Sequence, residues 1–505
     1  GKPLRKRPEP VQTNRTTSTY ATDQSRVVKG PMTATPRFKL RLQEILASPK
    51  AAASRLQLIP LIYLLCVVLP VGFNLGPLYL TTLRLLLIVL IAPLFLRLLV
   101  GKFGQIILTD VLFMVYVFWM VLALVVNSPD QMLTQVGSVG VEFLGGYLVG
   151  RAYIRNRSDF IALSRWLVFL VLCLTPFAVH ETLTGRPLIV EALQRVPGIR
   201  TVEIVTIEGR LGLERVQSSF AHPIHFGLFC SVTFSLCFVA LKGVYSTFQR
   251  FLSSGVILLS GFLALSSGAL LAILLQIFLI SWSLLFSRVR SQWWLLMGFF
   301  VLTYIVIDLL SNRSPIRVFM SYATFSTHNA FWRGLIFDWG VRNIFGDEDS
   351  NIPAALWFGI GMNDWIRPSF MYSNSMDNFW LIVGVRYGIP AFLMLTIGYG
   401  LIISYVMKRD FSSDLEMRLI RQAWVFTFLG LTFTLCTVHI WTNIYSFVFF
   451  VFGAGVWMIT ELPRQQNEGT LDTKQDGTIL VMDTPLLQMK QGNSPYSRFP
   501  RSRRR

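Results

Sequence analysis

The sequence predicts an all-α, polytopic membrane protein of about twelve transmembrane helices, with two long loops on the non-cytoplasmic side. Three observations predict it. The 505 residues are 53% hydrophobic and 14% charged, a balance that suits a bilayer better than water. Apolar runs of about 20 residues, the length that crosses a hydrocarbon core, recur along the chain. Lysine and arginine alternate between connections: five short loops, including Lys102, Arg151, Arg250, Arg288 and Arg421, carry fourteen, and four others (74–77, 127–132, 266–267, 439–442) carry none. The positive-inside rule then places both tails in the cytoplasm, and a miscounted helix would scramble the alternation.

Residues 1–55 read as a cytoplasmic basic tail. No cleavable signal peptide is expected, because the first long apolar stretch begins near Leu56. Within the tail, 37–57 has the composition of a basic interfacial helix. Spans follow at 56–73, 78–99, 106–126, 133–150, 160–180, 218–241, 251–265, 268–287, 293–310, 377–406, 422–438 and 443–460. The long outer loops are 181–217 and 311–376, well beyond ordinary connection lengths, and function is expected there. Residues 461–505 form a second polar, basic tail. The net charge of +19 sits mostly in the tails and inner loops, and no folded binding module accompanies it, so no nucleic acid is expected as a partner. The five cysteines lie singly inside apolar runs, where packing is their expected role.

Two arginines, Arg84 and Arg386, fall within spans, where each costs roughly 2.5–3.5 kcal/mol unless paired or facing a wet cavity. Snorkelling or pairing with Glu142 would account for Arg84. Arg386 follows the second long loop closely and is a functional candidate. The first loop carries Arg186, Arg195, Arg200, Arg210 and Arg215, and the second Arg313, Arg317, Arg333, Arg342 and Arg367. The Glu214–Gly227 stretch sets Arg215, His222 and His225 close to the outer face, with Pro223 suited to a helix's first turn. In the second loop, Asp364, Trp365 and Arg367 precede Asp377 and Asn378. Trp332, Trp339, Trp357 and Trp365 suit either sugar stacking or an interfacial aromatic belt. Guanidinium forks bind phosphate bidentately, and a carboxylate such as Asp377 or Asp364 can take a hydroxyl's proton. No metal or other cofactor is expected: the five histidines are scattered, and Asp347-Glu348-Asp349 reads as a solvated turn. Gly359-Ile360-Gly361 lacks the third glycine of a dinucleotide fingerprint.

Three patches resemble the bacterial O-antigen polymerase and O-antigen ligase superfamily of membrane glycosyltransferases. They are Arg-x-x-Ser-Ser-Phe-x-His-Pro at 215–223, the Ser266-Ser267-Gly268 turn, and the order Arg333, Phe358-Gly359-Ile360-Gly361, Asp377-Asn378, Tyr387-Gly388. The resemblance covers roughly 210–400. It implies a GT-C-like enzyme of the bacterial inner membrane with periplasmic loops, and a metal-independent inverting transfer from undecaprenyl diphosphate. The lipid-linked glycan donor and acceptor, membrane lipid and a chain-length regulator protein are its implied partners. Arg215 and Arg333 would hold the diphosphate and Asp377 would activate the acceptor, with Arg210, His222, Asp364, Trp365, Arg367, Asn378 and Arg386 binding substrate. Ligases of the superfamily carry a histidine where Asp377 stands, so repeat-unit polymerisation is favoured over ligation. A twelve-helix transporter is the rival from another class, but it calls for a long central inner loop, and the 242–250 connection is short.

Overall fold

A computed structural model describes residues 55–462 except 76–77, 290, 313–314, 316–317 and 320–326. Both tails therefore fall almost wholly outside the described residues, as do the interfacial helix expected at 37–57, Arg313 and Arg317.

The chain is mostly helical: α1 (Leu58–Val68), α2 (Thr82–Leu99), α3 (Leu108–Asn127), α4 (Pro129–Gln135), α5 (Val141–Tyr153), α6 (Arg157–Thr184), α7 (Leu188–Gln194), α8 (Pro223–Ser235), α9 (Thr247–Leu263), α10 (Ser267–Leu285), α11 (Gln292–Leu310), α12 (Thr327–Phe345), α13 (Phe379–Lys408), α14 (Leu415–Thr434) and α15 (Thr442–Gly453). Each of the twelve apolar windows contains a helix. Among the described residues, eight helices are long and apolar enough to cross a membrane. The protein is thus a helical membrane protein.

Two expectations need correction. The 74–77 connection is flanked by a two-stranded antiparallel hairpin, β1 (Gly72–Leu75) and β2 (Leu78–Thr81), so the fold is not strictly all-α. The second long loop is not loop throughout: α12, 19 residues long, lies within it and carries Arg333.

Local sequence sets the helix starts. Thr81, Asn156, Ser246, Ser266, Asn378 and Asp414 each cap a helix, their side chains accepting a backbone N–H from the first turn. Packing then uses small residues, because lipid provides no hydrophobic drive between helices. Gly146 and Gly150, spaced as GxxxG on α5, meet α15 so closely that a Cβ on either would collide with the carbonyl oxygen of Ser446 or Phe450. Beside them, Phe113, Phe143 and Phe449 join ring to ring, with centroids 4.5–6.0 Å apart.

Loops gather at two ends. At one, ion pairs tie the elements: Arg151 to Asp110 at 2.8 Å and Arg157 to Asp414 at 2.7 Å. At the other, the two long connections fold down on the helix tips. There Gly72 and Arg200 exchange backbone hydrogen bonds, and the Val216 N–H donates to Leu263 O.

Candidate functional site

The site is built on an irregular segment crossing the tips of α6 and α9. A tight turn at Arg210–Leu213, with positive φ at Leu211 and Gly212, leads into it. The Glu214 N–H then donates to Thr182 O. The buried Glu181 carboxylate of α6 accepts from the N–H groups of Gln217 (2.7 Å) and Ser218 (2.9 Å), which holds Ser218 at a φ of 57°. These anchors hold the backbone on either side of Arg215. Arg210 is fixed separately: its Nη1 donates to Leu265 O, in the turn before Ser266, at 2.8 Å. Two patches distant in sequence, 210–223 and 265–268, therefore form one surface.

His222 ends the segment as the cap of α8. Its Nδ1 accepts the Ile224 N–H at 3.1 Å, and Pro223 occupies the first helical position. Accepting through Nδ1 leaves the proton of the neutral ring on Nε2. Burial, reinforced by the charge of Arg215, lowers His222 to about 4. His225 lies beyond it, 1% exposed, with its ring 4.1 Å from that of Trp441.

The second long connection adds Arg333 from α12 and Asp377 from the residue before the Asn378 cap. Burial lowers the Arg333 pKa, the charge of Asp377 acts against that shift, and the charge of Arg210 adds to it. Burial together with the charge of Arg210 brings Arg215 down to about 10. Arg210 is thus within electrostatic reach of both Arg215 and Arg333, and Arg333 is within reach of Asp377.

Arg386 reaches the same end by a break in a membrane helix. Within α13, Gly388 has φ 83° and ψ 173°, followed by Pro390. The freed backbone groups are satisfied by the 355–362 loop: Ile360 N–H donates to Val385 O, Gly361 N–H to Arg386 O, and Ile389 N–H to Leu356 O, at 2.8–2.9 Å. Trp119 Nε1 adds donations to the carbonyls of Tyr387 and Trp357. Non-helical backbone is tolerated at membrane depth where protein repairs it in this way. The glycines of Phe358-Gly359-Ile360-Gly361 serve this docking, since a Cβ on Gly359 would overlap Val385 O. Arg386 acts on His439, whose pKa burial lowers to about 3, with the charge of Arg386 in second place.

Several polar atoms of this cluster are buried without a hydrogen-bond partner among the described residues: Arg215 Nε, Ser218 Oγ, Ser219 Oγ, His225 Nε2 and His439 Nδ1. Such atoms cost roughly 1–3 kcal/mol each when left unpaired. Cations, neutral imidazoles and unpaired donors are the groups with which proteins hold an oxyanion.

Other sequence candidates sit elsewhere. Asp364 and Arg367 pair with each other at 2.6 Å, and Arg367 Nε also donates to Met371 O. Trp365 is 5% exposed and gives its Nε1–H to Asn374 O, so it cannot stack on a sugar in this conformation. These three brace the loop. Asn378 is engaged as a cap, accepting from the Leu381 N–H. Arg84 pairs with Glu142 at 2.7 Å, which resolves the choice between snorkelling and pairing. Asp347 pairs with Arg342 and closes its turn through hydrogen bonds with Ile352. Among the described residues, no three His, Cys, Asp or Glu side chains form a metal-binding group. Sequence reasoning missed Glu181, His439 and Trp441. The last two lie in a connection noticed only for carrying no lysine or arginine, although a His-x-Trp pair beside an apolar span was there to be seen.

Next to Asp377 an apolar cavity of about 890 Å³ opens between α11, α12, α13 and α14, lined by Tyr304, Phe337, Val341, Asn378, Leu381 and Phe433 among others. α11, none of whose residues is fully buried, meets α14 through the ring pairs Trp293–Phe426 and Phe300–Phe433 and forms one wall. Arg333 is one helical turn before the lining residue Phe337, on the same face of α12. Fold and site together define a polytopic helical membrane protein that gathers buried cations and imidazoles at one end, beside an apolar hollow. No family model matches the chain, and none of the curated proteins compared with it is significantly similar.

Proposed function

We propose that the protein is a membrane glycosyltransferase that polymerises undecaprenyl-diphosphate-linked repeat units at the periplasmic face of the bacterial inner membrane. In this reading twelve helices cross the bilayer in a GT-C-like arrangement, and both termini are cytoplasmic. One observation carries it: Arg210 lies within electrostatic reach of Arg215 and Arg333, and Arg333 within reach of Asp377, the residue before Asn378 in the lining of an apolar cavity. Diphosphate suits the cations, and an isoprenoid chain suits the cavity.

The chemistry follows from the groups present. The anomeric C–O bond to the diphosphate breaks, and its electron pair leaves with the diphosphate. Arg215 and Arg333 stabilise that charge in a site where water cannot screen it. The acceptor hydroxyl oxygen forms the new bond from the opposite face and gives its proton to Asp377. Arg210 and Arg386 complete the positive field, and His222, neutral at physiological pH, donates a hydrogen bond through Nε2.

The test is reconstitution in lipid with the undecaprenyl-diphosphate repeat unit, read as a polymer ladder on a gel. Elongation is expected, with turnover falling about 10²–10³-fold in Arg215→Ala and Arg333→Ala and about 10²–10⁴-fold in Asp377→Asn. No elongation by folded protein would overturn polymerisation. Transfer only to a different, preformed acceptor would make the enzyme a ligase.

A further inference from the structure

A second cavity, of about 430 Å³, lies on the hairpin side of the Phe220–His225 segment, lined by Arg84, Arg200, Glu203, His225, Thr81 and Asn443 among others. Its volume falls within the range of about 300–1,000 Å³ typical of small-molecule sites. We propose that it is a carbohydrate subsite, which holds uncharged sugar units of the glycan while the diphosphate lies on the arginine cluster; this rests on the glycosyltransferase reading above.

The cavity has a built roof. Residues 200–205 of the first long connection cover it, and both ends of that strip are tied. Arg200 exchanges two backbone hydrogen bonds with Gly72, at 2.7 and 2.8 Å, and Thr201 Oγ1 donates to Pro70 O. At the other end the Gln217 side chain accepts from the Val205 N–H and donates to Glu203 O. Because Gln217 is also held by Glu181, the roof is continuous with the segment that fixes Arg215.

The walls offer donors and acceptors in balance. Arg84 spends Nε on Glu142, and among the described residues no hydrogen bond engages its Nη atoms. His225, 1% exposed, lines the cavity with Nε2 unpartnered. Asn443 gives its amide N–H groups to Cys66 O and Val67 O, which leaves its Oδ1 as an acceptor. The charges of Arg84 and Arg200 are matched by those of Glu142 and Glu203, so the cavity has no excess positive charge with which to attract a free anion. Neutral hydroxyls, each both donor and acceptor, satisfy such a mixture.

The experiment uses the full chain in lipid nanodiscs and two probes. One is the lipid-free oligosaccharide released by mild acid from the cell's own polymer, and the other is inorganic diphosphate. Both are followed by calorimetric titration. The variants are Arg200→Gln, at the exposed roof, and Arg84→Gln with Glu142→Gln, which avoids stranding a buried charge. Saccharide binding is expected to weaken about tenfold or more in each variant, with diphosphate binding unchanged. Unchanged saccharide binding in both variants overturns the proposal. So does loss of diphosphate binding in place of saccharide binding, or absence of saccharide binding in the wild type. Saccharide binding that depends on Arg84 and Arg200 in a protein that makes no polymer would leave the subsite standing and remove the polymerase.

Discussion

Replacing Gly388 by alanine should damage the protein far more than the same change twelve residues later on the same helix. At Gly388 the backbone has φ 83° and ψ 173°, a region essentially reserved for glycine, and the added Cβ would lie 2.5 Å from the carbonyl carbon of Trp357 and closer still to its oxygen. The backbone strain alone is about 1–3 kcal/mol. Moving Trp357 away also loosens the Ile389 donation to Leu356 O and the two donations of Trp119 Nε1, each worth about 0.5–1.5 kcal/mol net. The expected loss is roughly 3 kcal/mol or more. Gly400, by contrast, has among the described residues no heavy atom beyond its own helix backbone and chain neighbours within 4 Å of where a Cβ would sit, so Gly400→Ala should be neutral or gain up to about 1 kcal/mol from helix propensity. Unfolding in mixed SDS micelles, followed by tryptophan fluorescence, measures both. If Gly388→Ala unfolds at the same SDS fraction as Gly400→Ala, the helix is not broken at Gly388 and the loop does not repair it.

Other predictions come from single groups. Glu181→Gln can no longer accept from both the Gln217 and Ser218 N–H groups, and is expected to cost about 1–3 kcal/mol of stability and to weaken diphosphate binding through misplacement of Arg215. Arg84→Ala leaves Glu142, 1% exposed, as an uncompensated buried charge and should cost about 3–5 kcal/mol, whereas Arg84→Gln with Glu142→Gln should cost much less. Stability should also depend on pH through His222, which sits at about 4 in the fold against about 6.5 when unfolded. Between those values the unfolded chain binds more protons, so stability is complete above about 6.5, falls as pH drops toward 4 and then levels off. His222→Gln should flatten that part of a melting-temperature profile. Arg215→Ala, by removing the second cause of the shift, should raise the lower limit of the window.

The membrane-spanning core was legible because it is written in composition: each apolar window holds a helix. The candidate site was legible in part. Arg215, Arg333 and Asp377 were chosen for their chemistry and resemblance; the fold sets Arg333 within electrostatic reach of Asp377, and both Arg215 and Arg333 within reach of Arg210. Trp365 and Arg367 have partners within their own loop, and sequence does not distinguish an aromatic or cation that meets a ligand from one that braces a loop. The apolar stretch at 377–406 looked like one continuous span, and only Gly388 followed by Pro390 hinted at a break. The two-stranded hairpin was hidden for a related reason: Phe73, Leu75, Leu78 and Leu80 extend the hydropathy of the helices on either side.

The break in α13 gives the second long connection a purpose that its length alone did not reveal. That connection carries Arg333 on α12, repairs the unwound backbone at 385–389 with residues 356–361, and returns to the bundle through Asp377. Any movement of the loop away from α13 would expose the carbonyls of Val385 and Arg386 and carry Arg333 away from Arg210 and Asp377 at the same time. Helix repair and the placement of Arg333 thus belong to one connection, and if the two are mechanically joined a variant that damages the first should also damage the second. Gly359→Ala tests this coupling, since its Cβ would strike the carbonyl oxygens of Val385 and Arg386 on α13. Weaker binding of inorganic diphosphate by folded Gly359→Ala, although no charged group has been changed, is the expected result. Wild-type affinity in that variant would show that Arg333 is positioned by α12 alone.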